Sequence, residues 1–254
     1  MVRILRRAPV LLACPVLCWF DCLVAAAVGR LKPGLRARVL QRWSRWLLVG
    51  VGVEVETRGP IPSHGLIASN HLSYLDILVL SATARCVFVS KREVKWWPFV
   101  GWVAAMTGAV FVDRSRPGQT YSLLPQMQQR LASGESLVLF PEGTSGGGKE
   151  VLPFRSSLFE AAVKAEAPIT AAYLLYELPA GDGDPVMDVC YWGDMTLLPQ
   201  LLKLLSKKCV RATVVFGERA RVFADRKEAA QELRREVVGL GEIVEPRYEA
   251  AHPG

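Results

Sequence analysis

One stretch of sequence decides the fold, and it reads Leu66-Ile67-Ala68-Ser69-Asn70-His71-Leu72-Ser73-Tyr74-Leu75-Asp76. An apolar strand comes first, and one of only three histidines in the chain follows it, five residues before a carboxylate. Imidazole is the side chain best suited to move a proton near neutral pH, and a nearby carboxylate fixes its tautomer and stabilises the imidazolium. The stretch therefore predicts a strand, a functional loop and a helix in succession.

The spacing of five residues limits where that helix can begin. Within one helix, positions i and i+5 lie roughly 140° apart around the axis and about 7.5 Å apart along it, so His71 and Asp76 would diverge. The two side chains meet if the helix starts between them, with Ser73 as the N-cap and Asp76 three residues later, as in a capping box. The alternative is that Asp76 only caps the helix and His71 is an ordinary loop residue.

Composition indicates a globular chain that suits anionic partners. The 254 residues are 51% apolar and 22% charged, with a net charge of +7, a size that allows one large core or one domain with a short appendage. The charge suits an anionic membrane surface, or acidic ligands such as CoA, acyl carrier protein or phosphate, and it suits nucleic acid equally well. Six cysteines without a CxxC pair and only three histidines give little support for a zinc site.

The first segment predicts contact with a membrane. Residues 8–28 are almost wholly apolar apart from Asp21, and arginines flank them on both sides. Pro9, Pro15 and Asp21 disfavour a simple span, because an aspartate at bilayer depth costs about 2.5–3.5 kcal/mol. We therefore expect a helix embedded from the cytoplasmic face, or a re-entrant pair with residues 43–53. A cleaved signal peptide is the alternative, although no clear small-x-small cleavage site is present.

Beyond residue 53, short apolar runs alternate with runs of helical periodicity. Strands are predicted at residues 66–68, 86–90, 109–112, 137–140, 169–176, 186–191 and 212–216, and helices at residues 73–82, 97–106, 121–132, 157–165, 196–206 and 226–244. This alternation predicts an α/β fold with a mixed, mostly buried sheet flanked by helices. We therefore divide the chain into an N-terminal membrane-associated helical segment, residues 1–52, and one α/β domain, residues 53–254.

Two further segments place functional groups directly after predicted strands, where ligands commonly bind in α/β sheets. The first ends in Arg114, whose guanidinium can pair with a phosphate or carboxylate, or can form only a surface ion pair. The second reads Phe140-Pro141-Glu142-Gly143-Thr144. In it, Gly143 lets the backbone approach a ligand and Glu142 can accept hydrogen bonds from hydroxyl groups; the alternative is a tight turn without a ligand.

Four blocks taken in order resemble the glycerolipid acyltransferases, and in particular the bacterial 1-acyl-glycerol-3-phosphate acyltransferase family. They are His-x4-Asp at residues 71–76, Phe-Val-Asp-Arg at 111–114, Phe-Pro-Glu-Gly-Thr at 140–144 and a strand that opens with Pro168. The first block alone has little specificity, whereas all four in order across residues 53–216 are highly specific. The resemblance implies an α/β enzyme at the cytoplasmic face of the inner membrane, which transfers an acyl chain from a thioester to the hydroxyl of a lysolipid.

The same resemblance implies roles for individual residues. His71 is the general base, Asp76 orients it, and Arg114 belongs to the block that binds the acceptor phosphate. The acceptor-binding block comprises Glu142, Gly143 and Thr144. Family members often have an arginine after this Glu-Gly-Thr triplet, whereas Ser145 and three glycines follow it here, so Arg155 is the candidate replacement.

The resemblance favours 1-acyl-sn-glycerol-3-phosphate as the acceptor, which gives phosphatidic acid in phospholipid biosynthesis. The Ser-Gly-rich loop before Leu-Pro-Phe-Arg also resembles members that acylate lyso-ornithine lipids, so that acceptor stays an alternative. The expected donor is acyl-CoA or acyl carrier protein, with no cofactor, no metal ion and no nucleic-acid partner. A serine hydrolase that uses Ser69 or Ser73 is a rival of another class, although no Gly-x-Ser-x-Gly elbow is present. A nucleic-acid-binding module, suggested by charge alone, and a membrane scaffold are weaker rivals.

Overall fold

Alternating strands and helices make up most of the chain in a computed structural model, which describes residues 1–29, 33–91, 95–96, 100–112 and 124–251. The helices are α1 (Val2–Ala27), α2 (Pro33–Val51), α3 (Leu75–Thr83), α4 (Val100–Thr107), α5 (Leu124–Ala132), α6 (Glu160–Lys164), α7 (Pro185–Asp188), α8 (Leu197–Ser206) and α9 (Arg226–Ala251). The strands are β1 (Val53–Arg58), β2 (Gly65–Ser69), β3 (Cys86–Lys91), β4 (Val110–Val112), β5 (Ser136–Leu139), β6 (Ile169–Glu177) and β7 (Val210–Phe216). A short 3-10 helix, Ser156–Leu158, precedes α6.

Within the described residues, the strands form one seven-stranded sheet in the order β1-β7-β6-β2-β5-β3-β4. All neighbouring pairs are parallel except β6 and β7, which are antiparallel. The central strands β2 and β5 are buried at every position, as expected for parallel strands that helices cover on both faces. The predicted mixed, mostly buried sheet flanked by helices is therefore confirmed.

The two faces of the sheet belong to two separate hydrophobic cores, and β6 shows how the sequence divides them. Its alternate residues Ala172, Leu174 and Tyr176 lie in the core that contains α3. The residues between them lie in the core that contains α9. Successive side chains on a strand point to opposite faces, so the spacing along β6 decides which residues reach α3.

The sheet topology also determines which loops meet. Strands β2 and β5 are parallel neighbours, and Ala68 of one pairs with Leu139 of the other. Their carboxyl ends therefore open at the same edge of the sheet. The loop that begins at Asn70 and the loop that begins at Phe140 leave this edge side by side, although about 70 residues separate them in sequence.

The two N-terminal helices form an antiparallel hairpin. Near its closed end, Asp21 of α1 forms an ion pair with Arg42 of α2 and also accepts a hydrogen bond of 3.0 Å from Trp43 Nε1. Near its open end, Val10 of α1 lies against Gly50 of α2. The carboxylate that disfavoured a simple membrane span is thus compensated by a cation and an indole N–H within the hairpin.

The hairpin packs onto the α/β domain through both of its helices. Leu47, Leu48 and Val51 of α2 belong to the same buried core as α3 and the sheet. From α1, the guanidinium of Arg7 donates hydrogen bonds to the carbonyl groups of Leu205, Lys207 and Lys208, at and just beyond the end of α8. The division of the chain at residues 52 and 53 stays a prediction, and β1 begins at Val53.

The predicted strand at residues 186–191 is wrong. This segment instead contains α7, which Asp184 caps by accepting a 2.9 Å hydrogen bond from the Val186 N–H, with Pro185 in the first turn. Strand β6 is already paired on both sides, by β2 and β7, so this segment has no free edge beside β6. Its backbone turns to the loop after β2, where the Tyr191 N–H donates to the Leu72 carbonyl at 2.8 Å.

The other predicted elements are present with shifted ends. The helices predicted at residues 97–106 and 121–132 are α4 and α5, which run from Val100 and Leu124; residues 97–99 and 121–123 lie outside the described residues. The strand predicted to open with Pro168 is β6 and begins one residue later.

Replacing Arg7 tests whether the hairpin stabilises the α/β domain. Arg7→Ala leaves the carbonyl groups of Leu205, Lys207 and Lys208 without their guanidinium donor, so we expect the free energy of unfolding to fall by about 1–3 kcal/mol. In a chain of this size, that lowers Tm by about 2–4 °C per kcal/mol, measured by thermal unfolding in detergent. Arg6→Ala is the control, because it removes the same charge from an exposed position on the same helix. Equal melting of the two variants would contradict the prediction.

Candidate active site

Asn70 fixes the point at which the loop after β2 begins. Its side-chain amide donates to the Leu174 carbonyl at 3.0 Å and its side-chain oxygen accepts from the Leu174 N–H at 2.7 Å. The side chain thus extends the β2–β6 pairing by one step, and it is buried. His71 therefore follows directly from a rigid anchor on β6.

His71 and Asp76 meet as their spacing requires. Helix α3 begins at Leu75, His71 lies in the loop before it, and Nδ1 of the imidazole lies 2.7 Å from Oδ2 of Asp76. This contact leaves Nε2 as the imidazole nitrogen that faces away from the carboxylate. The predicted approach of the two side chains is confirmed, while their catalytic roles stay a prediction.

The predicted capping box is only half present. Asp76 Oδ2 accepts a hydrogen bond of 3.0 Å from the Ser73 N–H, and another of 2.7 Å from the Leu72 N–H. However, Tyr74 is the N-cap, and the Ser73 hydroxyl donates to the Val189 carbonyl at 2.8 Å. The carboxylate thus binds two N–H groups of the loop just before α3, close to the helix N-terminus, where negative charge is favoured, while Tyr74 makes no side-chain capping hydrogen bond.

Tyr176 is a partner of Asp76 that the sequence did not reveal. Its hydroxyl donates to Oδ1 of Asp76 at 2.6 Å, and both side chains are buried. The two residues are 100 positions apart, and no local pattern marks a tyrosine in an apolar strand as a partner of a distant carboxylate. Only the strand order, which places β6 beside β2, brings them together.

Phe140 forms one wall of the site. Its ring stacks on the imidazole of His71 with the two ring centres 4.1 Å apart and an interplanar angle of 13°. Phe140 is buried, whereas the His71 side chain keeps 21% of its surface exposed. The imidazole is therefore held in a fixed plane but remains accessible at one side, as a group that exchanges protons with a substrate must be.

Glu142 joins the two loops at the edge of the sheet. One of its carboxylate oxygens accepts from the His71 N–H at 2.7 Å, and the other accepts from the Leu152 N–H at 2.9 Å. Burial raises the pKa of Glu142, while these two backbone donors act in the opposite direction. The geometry gives Glu142 a part in positioning His71, and its predicted contact with the acceptor stays a prediction.

The remaining predicted site residues fall into two groups. Gly143 has a φ of +79°, and a Cβ added to it would lie 2.7 Å from Nε of Arg155, so the glycine allows the guanidinium to pack against this turn. Thr144 and Arg155 are exposed beside it. These three residues therefore adjoin Glu142, whereas Arg114 lies outside the described residues.

The two serines of the hydrolase alternative do not contact the imidazole. Ser69 is buried and its hydroxyl donates to Asn70 Oδ1 at 3.4 Å, while the Ser73 hydroxyl is engaged by Val189. Neither oxygen is presented to His71, as the nucleophile of a hydrolase triad would be. Within the described ranges, no three His, Cys, Asp or Glu side chains are grouped to hold a metal ion. That none is required stays a prediction.

The raised pKa of Glu142 predicts a pH dependence of stability. A carboxyl group whose pKa is raised by folding contributes stability that is fully present at low pH and is lost as the pH rises through the raised value, by about 1.4 kcal/mol per pKa unit. Glu142→Gln removes this titration. We therefore expect the Tm difference, wild type minus Glu142→Gln, to be larger at pH 4 than at pH 8. Thermal unfolding scans across this pH range measure it.

Glu150→Gln is the matched control, since Glu150 is exposed in the same loop. Its melting curve is expected to follow the wild type at every pH. Parallel pH dependences for wild type and Glu142→Gln would show that the buried carboxyl group contributes no titration of its own.

Known proteins are similar to this chain in both sequence and fold. The family profile described as Acyltransferase matches residues 52–174. The lyso-ornithine lipid O-acyltransferase of Rhizobium meliloti (strain 1021) is 34% identical over 239 residues, 87% of this chain and 77% of that protein. The 1-acyl-sn-glycerol-3-phosphate acyltransferase of Neisseria meningitidis serogroup B (strain MC58) is 30% identical over 170 residues, 63% of this chain and 67% of that protein.

A solved structure shows the same fold over nearly the whole chain. The crystal structure of the 1-acyl-sn-glycerophosphate acyltransferase from Thermotoga maritima superposes with a TM-score of 0.63 at 17% identity, covering 95% of this chain and 97% of that one. Helix α1 is long and apolar enough to cross a membrane, by length and composition, and with these relatives it indicates association with a membrane. The chain therefore belongs to the glycerolipid acyltransferase family, that is, to the acyltransferases of lysolipids.

Proposed function

We propose that the protein moves an acyl chain from a thioester donor, acyl-CoA or acyl carrier protein, to the free hydroxyl of a lysolipid. The observation that carries this proposal is the 2.7 Å contact between His71 Nδ1 and Asp76 Oδ2, with the imidazole partly exposed at the edge of the sheet. Both donors are found in the cytoplasm, so the proposed site faces the cytoplasmic side of the inner membrane. The proposed reaction requires no metal ion or other cofactor.

The first half of the proposed reaction forms a carbon–oxygen bond. The acceptor hydroxyl donates a hydrogen bond to Nε2 of His71, while Asp76 holds the proton on Nδ1 and so fixes the tautomer that has a free acceptor at Nε2. As the hydroxyl oxygen attacks the thioester carbonyl carbon, Nε2 takes the hydroxyl proton. The imidazolium that forms lies beside the buried negative charge of Asp76, which stabilises it.

The second half breaks the carbon–sulfur bond. The tetrahedral intermediate collapses, the thiolate leaves, and Nε2 of the imidazolium returns the proton to sulfur as a thiol. His71 is then neutral again, and no group on the protein becomes acylated. The lysolipid thus takes the place of the serine in a Ser-His-Asp triad, in agreement with the engagement of both nearby serines elsewhere.

The acceptor lipid can carry either of two head groups, and a different observation supports each. The block pattern resembles that of 1-acyl-sn-glycerol-3-phosphate acyltransferases, whose acceptor carries a phosphate. The lyso-ornithine lipid acyltransferase of Rhizobium meliloti has the higher identity and coverage, and ornithine carries a carboxylate. Both acceptors thus offer an anion, and the proposed partner of that anion is the guanidinium of Arg155, which is exposed beside Gly143.

Replacing His71 tests the proposed base. General base catalysis contributes typically about 10²–10⁴-fold, so His71→Ala is expected to lower kcat by at least about 100-fold in protein that remains folded. The purified protein is given a labelled acyl-CoA or acyl carrier protein, with lysophosphatidic acid and lyso-ornithine lipid offered in parallel. His64→Ala is the control, since His64 is exposed and outside the site. Near-normal transfer by His71→Ala to every acceptor would refute the proposed mechanism.

Replacing Arg155 tests the proposed anion contact. A guanidinium that binds the head group equally in the ground state and the transition state affects the acceptor KM and leaves kcat unchanged. Arg155→Gln is therefore expected to raise the acceptor KM about tenfold, which is the effect of one charge-assisted hydrogen bond at the lower end of its range.

The control is Arg219→Gln. Arg219 is exposed and follows β7, whose direction is opposite to that of β6, so it lies at the far edge of the sheet. In Arg155→Gln, the acceptor whose KM rises more is the one whose head group the guanidinium binds. An acceptor KM that is unchanged for both lipids would assign Arg155 a structural role.

A further inference from the structure

We propose that Tyr176 is a positioning residue of the transfer reaction, which acts through Asp76. Its hydroxyl tunes how strongly Asp76 holds the proton on His71, and so sets the pH at which the base becomes available. This inference rests on the proposed function, in which His71 is the general base. It assigns a mechanistic part to Tyr176, for which the four sequence blocks imply no role.

The contacts of Asp76 divide between its two oxygens. Oδ2 receives Nδ1 of His71 and the two backbone N–H groups of Leu72 and Ser73. Oδ1 receives the hydroxyl of Tyr176 at 2.6 Å. The tyrosine is thus the side-chain donor that opposes the imidazole across the carboxylate. Because Asp76 is 0% exposed, these donors stand in for water, and each hydrogen bond to the charged group is strong.

The position of Tyr176 is fixed by the backbone that carries it. Strand β6 is paired on both sides, and the side chain of Asn70 binds the backbone of Leu174 through two hydrogen bonds. Tyr176 lies two residues further along the same strand, so its side chain points to the same face, toward the first turn of α3. One rigid strand therefore anchors the start of the His71 loop and also places the phenol against Asp76.

Two titratable groups beside Asp76 stay protonated near neutral pH, namely Tyr176 and Cys190. Burial, followed by the charge of Asp76, raises the pKa of Tyr176 well above its ordinary value, so the phenol stays protonated and remains a donor. Burial likewise raises the pKa of Cys190 to about 12. Among the described residues, four titratable groups face Asp76 and Tyr176 from the elements packed against them: His71, Tyr74, Glu142 and Cys190.

The sign of the effect follows from charge. The Tyr176 hydroxyl stabilises the negative carboxylate, which reduces the attraction between that carboxylate and the proton on the imidazole. Without the hydroxyl, the pair of His71 and Asp76 binds its shared proton more tightly. The base then becomes free only at higher pH, and the imidazolium returns its proton less readily to the leaving thiolate. Both effects act on the chemical step and leave substrate binding unchanged.

The first experiment compares Tyr176→Phe with Tyr74→Phe. Tyr74 is the matched control, because its buried hydroxyl has no hydrogen-bond partner among the residues that the structure describes. We expect Tyr176→Phe to lower kcat about tenfold, to leave both KM values unchanged, and to move the acid limb of the pH–kcat profile upward by about one pH unit. Tyr74→Phe is expected to match the wild type in all three measurements.

A second variant keeps the inference testable if Tyr176→Phe does not fold. Replacement of Tyr176 by 3-fluorotyrosine preserves its size but makes the phenol a stronger donor. The acid limb is then expected to move to lower pH, opposite to the shift in Tyr176→Phe. In an Asp76→Asn background, either change at Tyr176 is expected to have no further effect on the limb, because the residue acts through that carboxylate.

The possible outcomes separate this inference from the proposed function. Three results would each overturn the role of Tyr176. The acid limb does not move in either Tyr176 variant, it moves in the same direction in both, or its shift is undiminished in the Asp76→Asn background. If these occur while His71→Ala is inactive, the general-base mechanism stands without the tyrosine. If His71→Ala is active, the proposed function itself fails.

Discussion

The structure depends on one buried charge. The carboxylate of Asp76 has no exposed surface, and an ionised group in that position must be compensated by donors, since its isolated burial would be far too costly. Four donors surround it: one imidazole, two backbone N–H groups of the loop, and a phenol from β6. Each donor can reach the carboxylate only if its own segment is in place. The charge therefore couples the loop, the helix and the strand.

That coupling extends outward through contacts that are mainly to the backbone. Glu142 binds the N–H groups of His71 and Leu152, and the Leu152 carbonyl in turn accepts from Arg234 of α9 at 3.2 Å. A second contact joins the Gly146 N–H to the His71 carbonyl at 2.8 Å. The loop that carries His71 is thus held by β6, through the side chain of Asn70, and by α9 on one face of the sheet, through Glu142 and Leu152. Such bracing supplies the fixed orientation that proton transfer needs.

Local sequence predicted what depends on local spacing. The separation of His71 and Asp76 predicted a helix start between them, and the alternation of apolar runs predicted the sheet, because periodicity and short-range geometry are written in neighbouring residues. The contacts that depend on topology were not predictable. In the sequence, Tyr176 is only a tyrosine in an apolar strand, and its contact with Asp76 depends on β6 lying beside β2. Residues 186–191 have the pattern of a strand, but β2 and β7 already occupy both edges of β6. Glu142 was predicted to bind the acceptor, yet its observed backbone partners follow from loop packing that no motif encodes.

The same geometry explains why a site that resembles a triad favours transfer to a lipid alcohol. A serine hydrolase needs a serine that faces the imidazole. Here the hydroxyls of Ser69 and Ser73 donate hydrogen bonds to Asn70 and to the Val189 carbonyl instead. The imidazole, stacked on Phe140, keeps one side open at the edge of the sheet. In the proposed mechanism, the hydroxyl that completes the triad therefore comes from the substrate. A lysolipid that presents its alcohol from a membrane surface meets this requirement, and no covalent acyl-enzyme is needed between donor and acceptor.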